Sequence, residues 1–266
     1  MESLAIIAEF NPFHTGHARL IRQVRQAAGP EAAIVIIMSG AFVQRGEPAF
    51  FDKWHRAAWA IDGGADVVIE LPAVYALSSA AGFAQGGVTL AARLGCQALA
   101  CGVEGGTAAD FLSLARRSEG LTACLKAAKK SSAGQQLTDA LMAAAPDEAR
   151  LLQQPNALLA FEYARAMLKQ EQPLTFLPLP RQGRHGDTGL GAAFASASAL
   201  RQAMRCSGTA AACRPYLTAA SLAGAEDQLA QGAFTDYGRY GDFVASHNRL
   251  LTPDQLRSLP AFTEGL

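Results

Sequence analysis

Ile6-Ile7-Ala8-Glu9-Phe10-Asn11-Pro12-Phe13-His14-Thr15-Gly16-His17 reads as the end of a short apolar strand, a tight turn and the first turn of a helix. Leu4 to Ile7 is an apolar run of strand length. Asn11-Pro12 is a turn signal, because the proline biases Asn11 away from the helical region. Beyond Gly16 the apolar spacing becomes helical, with Ala18, Leu20, Ile21 and Val24 separated by Arg19, Arg22 and Arg25. His14 and His17 therefore stand where a strand turns into a helix. Helix N–H groups and the helix dipole favour phosphate at such a place. Gly16 lets a ligand approach the backbone, and each imidazole can donate a hydrogen bond to a phosphate oxygen, more strongly when charged. That arrangement stabilises charge developing on a triphosphate attacked at its α-phosphorus. Two histidines near a glycine also fit a metal pair or a solvated turn; their place after a strand and at the start of a helix favours a nucleotide.

Outward from this stretch the pattern repeats. Ala32 to Met38 is a second apolar run, rich in isoleucine and valine as in a buried parallel strand, and closes a βαβ unit with the first. Val67-Val68-Ile69, Gln97 to Cys101 and Leu174 to Leu179 read as three further strands, with helical segments between them. The expected fold is an α/β open parallel sheet with helices on both faces. The polar turn Phe42-Val43-Gln44-Arg45-Gly46-Glu47-Pro48 follows a strand's carboxyl end, where α/β sheets line their ligand crevice. Gln44, Arg45 and Glu47 are candidates to touch substrate, and a solvated turn is the plainer reading. Lys53 and Arg56 lie three apart on the helix Lys53 to Ile61 and can face the same crevice. A helix is expected over Phe83 to Leu94, broken at Gly86-Gly87, and Gly102-Val103-Glu104-Gly105-Gly106 forms a glycine-rich loop after the fourth strand. Phe111 to Leu152 looks helical; within it Lys126, Lys129 and Lys130 form the densest positive cluster, an RNA contact or simply a solvated face. Asn156 sits where an N-cap belongs. Arg181 emerges at the end of the fifth strand, where its fork can grip phosphate or carboxylate, with His185 and Asp187 just beyond. Ser196-Ala197-Ser198-Ala199-Leu200-Arg201 opens a helix whose hydroxyls, N–H groups and guanidinium can cradle phosphate, or whose serine is a plain cap.

The 266 residues divide, on this reading, into an α/β domain over 1–205 and a helical appendage over 206–266. Lys+Arg and Asp+Glu number 23 each, which argues against a strongly basic nucleic-acid binder while leaving room for a local basic patch. The acidic Glu2 ahead of the first strand excludes a signal peptide, and no apolar run reaches membrane-spanning length. The five cysteines show no metal-type spacing and fit reduced thiols in a cytoplasmic protein.

His14-Thr15-Gly16-His17 resembles the His-x-Gly-His signature of the nucleotidyltransferase superfamily, and Glu9 to His17 is similar to its bacterial tRNA(Met) cytidine acetate ligase branch. Ser39 to Pro48 and Glu70-Leu71-Pro72 match the same branch, and Ser196 to Arg201 resembles the superfamily's second signature, with alanine at 195, 197 and 199 where isoleucine or hydroxyl residues are usual. The resemblance implies a Rossmann-like, HUP-type sheet and ATP-dependent activation of acetate to acetyl-adenylate, supported by Mg2+. Acetyl transfer to the wobble cytidine of elongator tRNA(Met) would follow. It implies catalytic roles for His14, His17, Lys53 and Arg201, with Gln44 and Arg45 beside Lys53 near the acetate. It implies nucleotide contacts at Ile7, Ala8, Glu9, Phe10, Asn11, Pro12, Phe13, Thr15, Gly16, Leu20, Gly102, Asn156, Arg181, Ser196 and Ser198, and no metal ligand from the chain. The family continues into a helical C-terminal region beyond the length seen here. Two other readings stay open: an adenylyltransferase acting on a small phosphorylated metabolite, and a nucleotide-binding module that no longer catalyses.

Overall fold

The computed structural model of the chain describes residues 2–125, 133–181 and 195–258. The expected cluster Lys126, Lys129 and Lys130, and His185 and Asp187, lie outside the described residues. Five strands, β1 (Ser3–Ala8), β2 (Ala33–Ser39), β3 (Val67–Leu71), β4 (Ala98–Val103) and β5 (Thr175–Pro180), form one parallel sheet in the order β3-β2-β1-β4-β5. Leu4 pairs with Ile34 on one side and Ala98 on the other, so β1 lies at the centre. The chain winds outward from β1 through β2 to β3, then returns to lay β4 and β5 on the other side. The strand order reverses between β1 and β4, and the crevice outside their carboxyl ends is where such sheets bind ligands.

Alternation along each strand sets the two layers. Leu4, Ile6, Ile34, Ile36, Ala98 and Ala100 face a core shared with α1 (Thr15–Ala28) and α2 (Lys53–Asp62). Ala5, Ile7, Val35, Ile37, Leu99 and Cys101 face the opposite core. That core is covered by α3 (Ala73–Ala76), α4 (Ala80–Arg93), α5 (Ala108–Leu125), α6 (Ala133–Ala144), α7 (Pro146–Ala149) and α8 (Pro155–Met167). Gly86 and Gly87 do not break α4, which runs unbroken from Ala80 to Arg93. A Cβ at Gly86 would lie 2.2 Å from Tyr75 Cγ and one at Gly87 2.5 Å from Ile7 Cδ1, so these glycines let α4 sit against α3 and β1. Helices α9 (Ala197–Ser207), α10 (Ala219–Ala230), α11 (Tyr237–Leu250) and α12 (Pro253–Ser258) follow. Leu200, Met204, Cys213, Leu217, Ala225 and Leu229 join the first core, so the chain after Arg205 continues onto the sheet's own layer. Helix α11 buries none of its residues, although Tyr237 at its start stacks 6.3 Å from Phe50.

Candidate active site

The turn after β1 carries the site. Phe10 takes a left-handed φ of 47°, a strained backbone for a large side chain, and is kept there by burial of its ring against Phe13, 5.0 Å away and edge-on. Asn11 Oδ1 accepts the Phe50 N–H at 2.8 Å, tying the turn to the segment before α2. Ile7, Phe10 and Phe13 are buried, so they shape the turn from within.

His14 is the N-cap of α1. Its Nδ1 accepts the Gly16 N–H at 3.0 Å, and His17 Nδ1 accepts the His14 N–H at 3.3 Å. The two imidazoles thus replace the Ser and Glu of an ordinary capping box. They stack 3.6 Å apart, and a Cβ at residue 16 would lie 2.8 Å from His14 Cε1, which requires glycine there. With both Nδ1 atoms accepting, the proton of each neutral ring sits on Nε2 and makes it a donor. Burial, reinforced by the Arg181 charge, lowers the His14 pKa to about 4. Burial, then His14 and Arg181, depress His17 well below its ordinary value. The imidazoles, which could donate charged or neutral, are therefore neutral donors: a cation in this turn would lose its hydration beside another cation. The Gly16 N–H is also spent on His14 rather than offered to phosphate.

A pH prediction follows from His14. The fold favours the neutral ring, so the stabilisation is complete above the unfolded value near 6.5 and is lost as pH falls toward about 4. The loss amounts to about 3 kcal/mol at one pKa unit per 1.36 kcal/mol. Urea midpoints between pH 7 and 4 should fall accordingly. His14→Asn, which keeps a capping oxygen, should flatten that slope; an unchanged slope would remove His14 from the account.

Three further elements meet this turn. At the start of α9, Ser196 caps the helix by accepting the Ala199 N–H at 3.1 Å. Arg201 Nη1 donates to the Asn11 carbonyl at 2.6 Å, its Nη2 to the Ser198 hydroxyl at 3.4 Å, and Nη2 lies 3.7 Å from Glu47 Oε2. Glu9 accepts the Gln44 N–H at 2.9 Å, which brings in the turn after β2. On the β4 side, Gly102 lies beside Arg181 and Leu20. Glu104 accepts from Asn156 Nδ2 and, at 3.2 Å, from the Ala157 N–H, and sits 3.9 Å from Arg181 Nη1. Asn156 is thus not the N-cap of α8, a position held by Gln154; it is the second helical residue, turned toward Glu104. Glu104 was not singled out from sequence, although it is the one charged side chain in a glycine-rich loop at a strand end.

Two expected residues are engaged by the protein itself. Lys53 Nζ pairs with Glu70 Oε2 at 2.5 Å on the β3 side. Arg56, expected to share its crevice, is fully buried. It donates to the carbonyls of Glu9 at 2.6 Å, Phe51 at 3.0 Å and Ser39 at 3.1 Å, and to that of Gly40. Helical spacing put the two on one side, but α2 turns Arg56 into the core with Trp59 and Ala60 while Lys53 stays partly exposed. Among the described residues no three His, Cys, Asp or Glu side chains are grouped to hold a metal ion, and no helix is long and apolar enough to cross a membrane.

A sheet that reverses its winding beside a paired-histidine helix cap, closed by an arginine from a late helix, defines a nucleotidyltransferase-type site. Residues 1–266 match the HIGH Nucleotidyl Transferase family, and the chain belongs to it. Within it the chain belongs to the tRNA(Met) cytidine acetate ligase family. It is 36% identical over 269 residues to that ligase of Pediococcus pentosaceus, covering 100% of this chain and 68% of the relative. It is 41% identical over 217 residues to the Syntrophomonas wolfei ligase, covering 77% of this chain and 51% of the relative. The crystal structure of Thermotoga maritima TmcAL superposes with a TM-score of 0.88 at 29% identity, covering all of this chain and 66% of that one. The same protein bound with alpha-thio ATP gives 0.87 at 31% identity, with 65% of it covered. The chain thus spans between about half and about two thirds of the length of these relatives.

Proposed function

We propose that this chain uses ATP to activate acetate as acetyl-adenylate and transfers the acetyl group to N4 of the wobble cytidine of elongator tRNA(Met), as a cytoplasmic enzyme. The observation that carries the reading is the 2.6 Å bond from Arg201 to the Asn11 carbonyl, which joins positions 190 residues apart and ties the two signature loops together. A relative solved with an ATP analogue supports the nucleotide.

The acetate oxygen attacks the α-phosphorus and pyrophosphate leaves; the cytidine amine then attacks the acetyl carbon and AMP leaves. His14 and His17 donate their Nε2–H groups to phosphate oxygens without bringing charge, and Arg201 and Arg181 supply the charge. Glu104 and Asn156 hold the nucleoside beside the backbone of Gly102. Mg2+ would be held through the phosphate oxygens, as suits an ion that keeps its waters and needs few protein ligands, and would neutralise charge there. No step is assigned to Lys53, which Glu70 already holds.

The test is acetate-dependent exchange of labelled pyrophosphate into ATP with Mg2+ present. Exchange with acetate, and none with mononucleotides or phosphopantetheine as acceptors, is expected. A folded, metal-supplied sample that exchanges nothing overturns the proposal.

A further inference from the structure

A concavity adjoins Arg201. It is lined by Ser198, Arg201 and Arg205 of α9, Tyr237 and Tyr240 of α11, and Glu47 of the turn after β2. The lining combines two guanidinium groups, two phenols and one carboxylate. This composition suits a planar, hydrogen-bonding ring attached to a phosphate chain, and suits an aliphatic ligand poorly.

The rings are ordered. Phe50 stacks on Tyr237 at 6.3 Å, and the Arg205 guanidinium lies over the Tyr237 ring at 5.2 Å. The column Phe50–Tyr237–Arg205 is rooted in the core at Phe50 and ends in an exposed guanidinium plane within the groove. Tyr240 stands alongside, 6.3 Å from Phe42. Unpaired RNA bases are held by stacking on aromatic rings or on arginine planes. Glu47 supplies the acceptor that the exocyclic amine of cytosine needs, and a uracil carbonyl would be repelled there. Its Oε2 lies 3.7 Å from Arg201, the residue that closes the nucleotide loops, so a base read by Glu47 presents its amine beside the activated group.

We infer that the groove between α9 and α11 is the subsite for the acceptor cytosine, with the base stacked against Arg205 and Tyr240 and its amine accepted by Glu47. This rests on the proposed acetyl transfer and adds to it a location and a basis for choosing cytosine.

The two halves of the reaction separate the tests. Acetate-dependent pyrophosphate exchange reads the first half, and acetyl transfer to tRNA(Met) transcript reads the second. Tyr240→Ala is expected to raise the transcript KM by about 10-fold or more, the loss of one stacking contact, and Tyr240→Phe to restore it. Arg205→Ala is expected to weaken transcript binding by about 10-fold, the loss of the second stacking plane. Glu47→Ala is expected to narrow the preference for the cytidine transcript over the same transcript carrying uridine at that position, read by competition binding. Exchange that persists while Tyr240→Ala transfers acetyl with the wild-type KM overturns the subsite and leaves the proposed function standing. Loss of exchange in the unsubstituted protein overturns the proposed function instead, and competition binding then still reads the groove.

Discussion

His17→Ala is expected to leave the molecule folded and to cut acetyl-adenylate formation by about 100- to 1,000-fold, the cost of removing one well-placed donor to developing charge. The structure separates the two effects of this substitution. His17 Nδ1 accepts the His14 N–H, so its loss also removes half of a helix cap, worth about 1 kcal/mol. His17→Gln restores that half, because glutamine is the usual residue at the third helical position of a capping box. It leaves no imidazole Nε2–H stacked on His14, so stability should return while exchange stays low. Wild-type exchange in the alanine variant would contradict the donor role. A neutral donor also makes the rate insensitive to pH between about 6 and 8 as far as these two rings are concerned, since both titrate well below that range.

Arg56→Met is expected to destabilise the protein by about 3–5 kcal/mol, the cost of leaving several buried carbonyls without their donor at about 1–3 kcal/mol each. Arg56 is 0% exposed and its guanidinium binds four carbonyls, those of Glu9, Ser39, Gly40 and Phe51. These lie on the turn after β1, the end of β2 and the approach to α2, so one side chain pins the three backbone segments that frame the crevice. Desolvation lowers its pKa to about 10, which leaves it charged at neutral pH. Methionine fills the volume and leaves the carbonyls without donors. Arg56→Lys should recover only part of the loss, because an ammonium cannot reproduce the planar fork. A fall of less than about 1 kcal/mol in denaturant unfolding for Arg56→Met would show that water replaces the fork, on the same scale of buried-group costs.

The reach of the sequence differed by element. The strands at 3–8, 33–39, 67–71, 98–103 and 175–180 were legible to within one residue, except that β3 and β4 run two residues further than expected. Their apolar runs are bounded by turns, and burial on both faces leaves little else for such runs to form. The helix signals were weaker where small residues dominate. Gly86 and Gly87 looked like a break because glycine costs helix stability, but packing against Tyr75 and Ile7 needs them. Asn156 looked like a cap because its residue type favours that position; Pro155 starts the helix one residue earlier and frees the amide for Glu104.

From sequence alone, then, came the parallel sheet with helices on both faces and the two loops, after β1 and before α9, that carry the candidate phosphate-binding residues. Periodicity, turn residues and short motifs are local properties, and the chain displays them without reference to its fold. Tertiary structure decided the rest: that His14 and His17 are neutral, that Arg56 is a buried tie rather than a crevice residue, that Glu104 joins Asn156 to Arg181, and that α11 brings two tyrosines beside Arg201. Each of these depends on which groups meet across the sheet's carboxyl edge and on how much water they lose there. Strand order and helix placement set both, and neither is written in the spacing of neighbouring residues.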